Sequence, residues 1–278
     1  MKKTHLLAPG PTPVPEAARL AMAATLIHHR GPGFKAMFSE VSELLRWAHQ
    51  TDNDVLVLTC SGTGGFEAAM STFTEPSDTV IAIGGGKFGE RWGEMSAAFG
   101  MKTVPVDVTW GKAVDVAQVR AALQANPNAA MLTVSASETS TGVYHPMEAI
   151  AEVLRDYPEV LFAVDGITAV GVHRLPMDEL GIDILVSGSQ KAFSVPPGLA
   201  FVAVSGRRRE PSPPESTSAR IRRRARRPAA RGRHARLPEG DHLGSSADLD
   251  DDGDGPSEGF YHSVLVCHFR SPCACAWR

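Results

Sequence analysis

Short apolar runs alternate with amphipathic segments over the first 205 residues. The apolar runs, each bounded by turn residues, lie at 55–60, 79–83, 102–107, 130–135, 160–165, 183–187 and 199–204. They are rich in β-branched residues and nearly continuous, which is typical of strands buried on both faces. Helical patterns lie between several of them, at 65–73, 87–99, 115–124 and 145–155, the last with Pro146 near its first turn. The alternation predicts an α/β fold built on a mostly parallel sheet.

Ligands of such sheets bind beyond the carboxyl ends of the strands, so the residues after each run are the first candidates for chemistry. The run 55–60 is followed by "SGTGGFEAAM", in which Ser61 to Gly65 form a glycine-rich turn that leads into a helix. Backbone N–H groups at such a helix start can cradle an anion. The segment matches neither a Walker loop nor GxGxxG, so a dinucleotide is not indicated. An ordinary strand-to-helix turn would explain it equally well.

Two further strand ends carry polar groups. Asp165 ends the run 160–165, where a carboxylate is costly unless it meets a cation or hydrogen-bond donors. Capping of the following turn is the simpler explanation for Asp165. Thr139, Ser140 and Thr141 place hydroxyl groups after the run 130–135, although turn residues alone would explain them.

Lys191 is the most unusual residue of this part of the chain. It lies in "SGSQKAF" at the end of the run 183–187, among small and apolar neighbours. A lone lysine in an apolar stretch usually extends its amine to solvent. Next to an anion cradle and a carboxylate, however, it could form an imine with an aldehyde cofactor. A crowded and partly dry position would lower its pKa and make it a better nucleophile and base.

Composition narrows the class of protein. The 278 residues are 43% hydrophobic and carry a formal net charge of -3, which gives no general attraction to nucleic acid or membrane. The chain opens with no signal-like segment and contains no apolar run of the length that spans a bilayer. We therefore expect a soluble, cytoplasmic protein. Its four cysteines, in a chain of this length, do not indicate a disulfide framework.

The composition changes abruptly near residue 206. Residues 1–205 contain seven Lys and seven Arg, whereas the remainder contains 14 Arg and no Lys. Twelve of those arginines lie between Arg207 and Arg236, and residues 239–258 then hold eight Asp and Glu. Charge blocks with few large apolar residues predict disorder.

Three hypotheses account for residues 206–278. The segment "RRRARRPAARGRHAR" could be a basic arm that binds phosphates of nucleic acid, although it lacks interleaved aromatic residues. Cys267, Cys273 and Cys275 could bind a metal, but their spacing is not that of zinc sites. We favour a third hypothesis, in which a GC-rich gene is read out of frame. We then expect residues 1–205 to form a folded domain, with 206–278 as a low-complexity tail that is disordered or out of frame.

Several motifs of residues 1–205, in their order, resemble the class V aminotransferases that depend on pyridoxal 5'-phosphate, in particular alanine–glyoxylate and serine–pyruvate aminotransferases. The matching segments are "LLAPGPTPVP" at 6–15, "SGTGGFEAA" at 61–69, "SETSTGV" at 137–143, "AVDGITAVG" at 163–171 and "SGSQKAFSVPPGLAFVAVS" at 187–205. The resemblance implies the large domain of a fold type I enzyme, with helices on both faces of the sheet. It also implies a homodimer that acts on small amino acids and 2-oxo acids.

The resemblance assigns roles to the residues at the strand ends. Lys191 would hold the cofactor as a Schiff base and move the substrate proton, and Asp165 would pair with the protonated pyridine nitrogen. Thr63 and Gly64 would bind the phosphate, together with Gly65 through its backbone.

Four more residues are expected around the cofactor. Phe88 would stack on the ring, Thr139 would contact the region of the ring hydroxyl, Thr168 would lie near Asp165, and Gln190 would lie beside the phosphate. The resemblance implies no metal. The segment 6–15 resembles an arm that lines the mouth of the site.

The resemblance ends near Ser205, before the small domain that carries the substrate-carboxylate arginine in relatives. We therefore expect this chain to bind the cofactor weakly and to transaminate poorly or not at all. Two alternatives remain open. One is another class V enzyme such as a cysteine desulfurase, although such enzymes typically have His, not Gln190, before the lysine. The other is a non-enzymatic protein whose Arg-rich tail binds nucleic acid.

Overall fold

The computed structural model describes residues 6–206. Its elements, in chain order, are α1 (Glu16–Met22), α2 (Pro32–His49), β1 (Val55–Leu58), α3 (Gly62–Phe73), β2 (Thr79–Ile83), α4 (Lys87–Ala98), β3 (Lys102–Val106), α5 (Val116–Ala125), β4 (Met131–Ser135), β5 (Ser137–Glu138), β6 (Val143–Tyr144), α6 (Met147–Leu154), β7 (Leu161–Asp165), β8 (Ile184–Gly188) and β9 (Ala200–Val204).

Seven strands form one mixed sheet in the order β1-β9-β8-β7-β4-β2-β3, and β5 and β6 form a separate short hairpin. The neighbours from β8 to β3 pair in parallel. Strand β9 is antiparallel to both β8 and β1, so it is the one strand of this sheet that runs the opposite way. The carboxyl ends of the other strands therefore meet at one edge, where β7 and β8 bring Asp165 and the Lys191 segment side by side.

Helices cover both faces of the sheet. One face packs against α2, α5 and α6, and the other packs against α3 and α4. Alternate residues of the central strand β7 point to opposite sides: Phe162 and Val164 join the first cluster, and Leu161 and Ala163 join the second. All four are nearly inaccessible to solvent. The predicted α/β architecture is confirmed.

All seven predicted strands are present, but the expectation that each is buried on both faces is wrong for two of them. Strands β1 and β3 lie at the two edges of the sheet, and Leu56 in β1 is 51% exposed. Pro105 within β3 is the signal that could have identified an edge strand. Proline has no backbone N–H to donate to a neighbouring strand, so it is tolerated where one side of the strand is unpaired.

The four predicted helices are also present: α4 begins at Lys87 as predicted, and the starts of the other three differ by one to three residues. Helix α3 begins at Gly62, and the N–H of Gly65 donates to the carbonyl of Ser61 at 3.2 Å, so the glycine-rich turn is the first turn of the helix itself. Pro146 is the residue before α6 rather than part of its first turn. Helices α1 and α2 were not predicted. Pro32 at the start of α2, and buried apolar side chains at helical spacing behind it, are the signals that could have found it.

Within residues 6–206, none of the helices combines the length and the apolar character needed to cross a bilayer. The Arg-rich segment 207–236, the acidic block 239–258 and the three late cysteines lie outside the described residues. So does the predicted domain 206–278, apart from its first residue.

Candidate active site

Lys191 lies in the loop 189–199, which connects β8 to β9 and returns to the same edge of the sheet. Ser189, fully buried, closes the base of this loop. Its backbone N–H donates to the carbonyl of Leu199 at 3.0 Å, and its hydroxyl donates to the carbonyl of Pro196 at 2.6 Å. The backbone that carries Lys191 is thereby held close to the end of β8.

The N-terminal arm covers Lys191. The lysine Nζ donates to the carbonyl of Pro9 at 3.3 Å, and the Thr12 hydroxyl donates to the carbonyl of Lys191 at 2.8 Å. The Thr12 N–H donates to the carbonyl of Gln190 at 2.9 Å. Gly10 has a φ of +150°, and a Cβ atom there would lie 2.5 Å from Lys191 Cδ, so this approach of the arm requires glycine.

The environment of Lys191 changes the basicity of its amine. Partial burial lowers the pKa of Lys191, and the negative charge of Asp165 acts in the opposite direction. Burial is the larger influence, so a greater share of this amine is neutral at a given pH than for an exposed lysine. The opposing influence also shows that the Asp165 carboxylate is near enough for its charge to act on the amine.

Asp165 ends β7 and is 5% exposed. Its Oδ2 accepts a hydrogen bond from the Ser135 hydroxyl at 3.1 Å, and its Oδ1 accepts one from the Ile167 N–H at 2.9 Å. Burial raises the pKa of Asp165 to about 7, although both hydrogen bonds and the charge of Arg91 favour the ionised form. The charge of Glu138 adds to the rise. The carboxyl is therefore poised to ionise when a cation arrives beside it.

The start of α3 has the features of an anion cradle. Its N-cap residue Ser61 makes no side-chain capping hydrogen bond, and the N–H groups at the start of a helix have no partner within it. The hydroxyl of Thr63 lies in this first turn, where its oxygen accepts a hydrogen bond from Arg91 Nη1 at 3.1 Å. The positive end of the helix dipole adds to the attraction for an anion.

The glycines of this turn let α3 approach the sheet. A Cβ at Gly62 would collide with the side chain of Ile167, which follows Asp165 in the chain. A Cβ at Gly65 would lie 2.7 Å from Val186 Cγ1 in β8. A Cβ at Gly64 would lie 2.5 Å from Cβ of Cys60. Gly65 donates within the helix and packs against β8, whereas Gly64 stays in the turn predicted to bind phosphate.

The hairpin β5–β6 brings Thr139 to the loop that follows β7. The Thr139 hydroxyl donates to Oγ1 of Thr168 at 3.1 Å, and the Thr168 hydroxyl donates to the carbonyl of Ser137 at 2.8 Å. Thr168 is three residues beyond Asp165, so the two predicted threonines lie together on the Asp165 side of the site.

Phe88 lies in the first turn of α4, and this turn is capped by a side chain from a distant part of the chain. The Glu138 carboxylate, fully buried, accepts hydrogen bonds from the N–H groups of Phe88 at 3.1 Å and Gly89 at 2.9 Å. It also accepts from the Ser140 N–H at 3.0 Å and the Ser140 hydroxyl at 2.6 Å. Glu138 therefore links the position of Phe88 to the hairpin that carries Thr139.

The residues present fit pyridoxal 5'-phosphate. Gln190 Oε1 is buried and has no hydrogen-bond partner among the described residues, so beside Lys191 an acceptor is left for a donor of a bound group, while a phosphate would take its hydrogen bond from the NH2 group. An amine with a lowered pKa suits an aldehyde, a buried carboxyl suits a ring nitrogen that becomes cationic, and an uncapped helix start suits a phosphate.

Sequence reasoning missed three residues of the site: Ser135, Arg91 and Glu138. Ser135 lies within an apolar run and Glu138 within a segment that resembles an ordinary turn. An acidic residue three positions after the end of a buried strand was the available signal for Glu138. Arg91 lies three residues after Phe88, one helical turn along α4, which is the spacing that places two side chains on the same face.

Known proteins resemble this chain in sequence over most of its length. A family model described as Aminotransferase class-V matches residues 17–228. The chain is 44% identical over 205 residues to a protein named soluble hydrogenase 42 kDa subunit from Anabaena cylindrica, covering 73% of this chain and 54% of that protein. It is 37% identical over 202 residues to L-aspartate–glyoxylate aminotransferase from Paracoccus denitrificans, covering 71% of this chain and 51% of that protein.

A solved structure shows the same fold. Alanine–glyoxylate aminotransferase from Nostoc sp. matches with a TM-score of 0.68 and 29% identity, over 82% of this chain and 57% of that one. The chain spans about half the length of the curated relatives it matches. The family model covers most of the chain, and the sheet, with helices on both faces, is that of the solved aminotransferase. The chain belongs to the class V aminotransferase family.

Proposed function

We propose that this chain carries the cofactor-binding part of a pyridoxal-phosphate-dependent aminotransferase. The reaction proposed moves the amino group of a small amino acid, alanine or serine, to a 2-oxo acid, glyoxylate or pyruvate. The observation that carries the proposal is that β7 and β8 run in parallel, with Asp165 at the end of one strand and the Lys191 loop at the end of the other. The lowered pKa of Lys191 and the raised pKa of Asp165, about 7, suit the two roles. The relatives named above as glyoxylate aminotransferases support the acceptor. The relative from Paracoccus denitrificans is named for aspartate, so aspartate is tested as an amino donor beside alanine and serine.

When bound, pyridoxal 5'-phosphate supplies an aldehyde carbon and a ring that withdraws electrons from it. The Nζ atom of Lys191 is the nucleophile for such an aldehyde, and burial increases the neutral fraction that can attack. The same atom would move the proton between the substrate carbon that bears the amino group and the cofactor. Its present acceptor, the carbonyl of Pro9, must release it first.

Asp165 is the group for the ring nitrogen. Its two hydrogen bonds, from Ser135 and Ile167, stabilise the ionised carboxylate and fix its orientation. Burial, and to a smaller extent the charge of Glu138, raise the pKa of this carboxyl, and a cation beside it would lower the pKa and leave the carboxyl ionised. Asp165 would in this way hold a proton on the ring nitrogen.

The other predicted contacts form the walls of the site. Thr63 and Gly64, at the start of α3, would hold the phosphate together with Gln190. Phe88 would lie against the ring, and Thr139 and Thr168 would contact its hydroxyl side. A homodimer and a cytoplasmic location complete the proposal, in which nucleic acid has no part.

The first experiment asks which lysine reacts. The 278-residue chain is mixed with pyridoxal 5'-phosphate and reduced with borohydride, and the modified peptide is mapped by mass spectrometry. We expect the adduct on Lys191, its loss in Lys191→Ala, and its retention in Lys112→Ala, since Lys112 is an exposed lysine remote from the site. A wild-type chain without an adduct, or with adducts spread over exposed lysines, would contradict the proposal.

The second experiment asks which chemistry follows. The loaded chain is incubated separately with alanine, serine, aspartate and cysteine, and formation of pyridoxamine 5'-phosphate is measured. Amino transfer from alanine or serine supports the proposal. Release of sulfide from cysteine without amino transfer would instead indicate a desulfurase.

A further inference from the structure

Arg91 contacts two residues that the proposed function places at different parts of the cofactor. Its Nη1 donates to Oγ1 of Thr63 at 3.1 Å, in the turn proposed for the phosphate. Its Cζ lies 5.0 Å from the centroid of the Phe88 ring, within the range of a cation–π contact. The guanidinium thus lies between the start of α3 and the first turn of α4.

The charge of Arg91 is not balanced by an acidic partner. Ion pairs within residues 6–206 use other arginines and lysines, and no carboxylate there lies within ion-pair distance of Arg91. At longer range its charge lowers the pKa of Asp165. A half-buried guanidinium without a counter-ion is costly, and an anion beside it would offset that cost.

The contact with Arg91 also fixes the hydrogen-bond direction at Thr63. A guanidinium only donates, so the Thr63 oxygen accepts from it, and the hydroxyl hydrogen is left to donate elsewhere. No acceptor for that hydrogen is recorded in the part of the chain that the structure describes. A donor on the oxygen polarises the hydroxyl and strengthens its own donation to an anion.

We propose that Arg91 is the cation that neutralises the phosphate of the cofactor, directly through its free guanidinium donors and indirectly by orienting the Thr63 hydroxyl. This inference rests on the proposed function, which supplies the phosphate. The ligand chemistry is a phosphate monoester dianion, which one guanidinium can bind with two donors. Arg91 thereby adds a charged contact to a turn that otherwise offers backbone N–H groups and one hydroxyl.

The test compares ligands with and without the phosphate. Binding of pyridoxal 5'-phosphate, pyridoxal and inorganic phosphate is measured for the wild-type chain and for Arg91→Gln, Arg91→Lys and Arg120→Gln. Arg120 is the matched control, because it is exposed and pairs with Asp156 away from the site. Aldehyde binding is followed by absorbance and borohydride trapping, and inorganic phosphate by 31P NMR titration.

We expect Arg91→Gln to weaken binding of pyridoxal 5'-phosphate and of inorganic phosphate by about 10- to 100-fold, the effect of losing a charge-assisted hydrogen bond. Pyridoxal binding should change less than about twofold, because it has no charge for Arg91 to neutralise. Arg91→Lys should recover part of the loss, since it keeps the charge but not the planar fork. Arg120→Gln should bind all three ligands as the wild type does.

Three other outcomes are distinguishable. If Arg91→Gln weakens pyridoxal as much as its phosphate ester, Arg91 acts through Phe88 or the fold, and the inference is wrong while the proposed function stands. The inference is equally wrong if the variant binds inorganic phosphate as well as the wild type does. If the wild type forms no adduct with either aldehyde, the proposed function fails, and the phosphate titration still reports on Arg91. Thermal unfolding of each variant checks that the fold is kept.

Discussion

The carboxylate of Glu138 accepts a 2.9 Å hydrogen bond from the backbone N–H of Gly89, joining a hairpin after β4 to the first turn of α4. The same carboxylate accepts from the N–H of Phe88, so a side chain 50 residues away in the chain fixes the backbone position from which this aromatic ring extends. Helix starts are usually capped by a neighbouring residue. Here the cap is tertiary, and loosening it would move Phe88 and Thr139 together.

Glu138→Gln should therefore destabilise the fold. The amide offers one oxygen in place of two, and its NH2 group would face backbone donors, so we expect a loss of about 2 kcal/mol in the free energy of unfolding. Chemical denaturation followed by circular dichroism measures it. Glu94→Gln is the control, because Glu94 is 62% exposed in its ion pair with Lys87 and such pairs contribute little. Equal stability of the two variants would contradict the role given to Glu138.

Asp165 should titrate far above an ordinary aspartate. We expect a midpoint of about 7 for its carboxyl 13C resonance in the cofactor-free chain. Ser135→Ala should raise the pKa of Asp165 further, because the Ser135 hydroxyl stabilises the ionised form. Ser42→Ala, which removes a hydroxyl that donates to the carbonyl of Phe38 within α2, should leave the midpoint unchanged. A midpoint near 4 in the wild type would show that the carboxyl is solvated.

The raised pKa of Asp165 also has a consequence for stability, whose sign follows from linkage. Between about pH 4 and pH 7 the folded chain keeps a proton on Asp165 that the unfolded chain has lost. The stabilisation is thus present at low pH and is lost as the pH rises through 7. Relative to Asp165→Asn, the wild type should become less stable over that interval, as urea denaturation at several pH values would show. A constant difference between the two would contradict the expectation.

His49 should act with the opposite sign. Its Nδ1 lies 2.7 Å from the carbonyl of Leu45, so this nitrogen carries the proton, and Nε2 accepts from the Ser187 hydroxyl at 2.8 Å. Burial lowers the pKa of His49 to about 4. As the pH falls from about 6.5 to about 4, the unfolded chain gains a proton that the folded chain refuses, at a cost of about 3 kcal/mol.

The comparison of variants isolates this effect. His49→Gln keeps hydrogen-bonding groups but cannot titrate, so its stability should depend less on pH over that interval than that of the wild type. His29→Gln, at an exposed position, should keep the wild-type dependence. If His49→Gln loses stability on acidification as steeply as the wild type, the buried neutral His49 is not responsible.

Gly10→Ala should loosen the arm over Lys191. The new methyl group would collide with the lysine Cδ and Nζ and would also be strained at a φ of +150°. We expect backbone amide exchange in residues 6–15 to become about tenfold faster, the effect of roughly 1.4 kcal/mol on local opening. Reductive methylation of Lys191 should increase with it. Gly142→Ala is a matched control, because Gly142 has a φ of +73° but open space around it, so it reports backbone strain without a collision.

The sheet was predictable because its signals are local. Buried strands such as β4 and β7 are continuous apolar runs. At and after their ends, Asp165 and Thr139 were recognised as candidates for chemistry, whereas Ser135 and Glu138 were missed. The contacts within the site were not predictable, since they join segments far apart in the chain. The Glu138 carboxylate meets α4, Arg91 meets Thr63, and His49 meets Ser187 only after the fold has formed. The roles assigned to the predicted site residues remain predictions.

The antiparallel strand β9 has a consequence for how the amine of Lys191 can travel. Because β9 runs antiparallel to β8, Lys191 lies on a short loop and not on a long crossover connection. Hydrogen bonds from Ser189 to the carbonyls of Leu199 and Pro196 hold the two ends of this loop together. Displacement of the amine between two reacting atoms must come from rotation about the bonds of its own side chain. Lengthening this loop by one residue would displace the backbone of Lys191 and with it the range of positions that the amine can reach. The number of residues between 188 and 200 therefore sets where the amine can act.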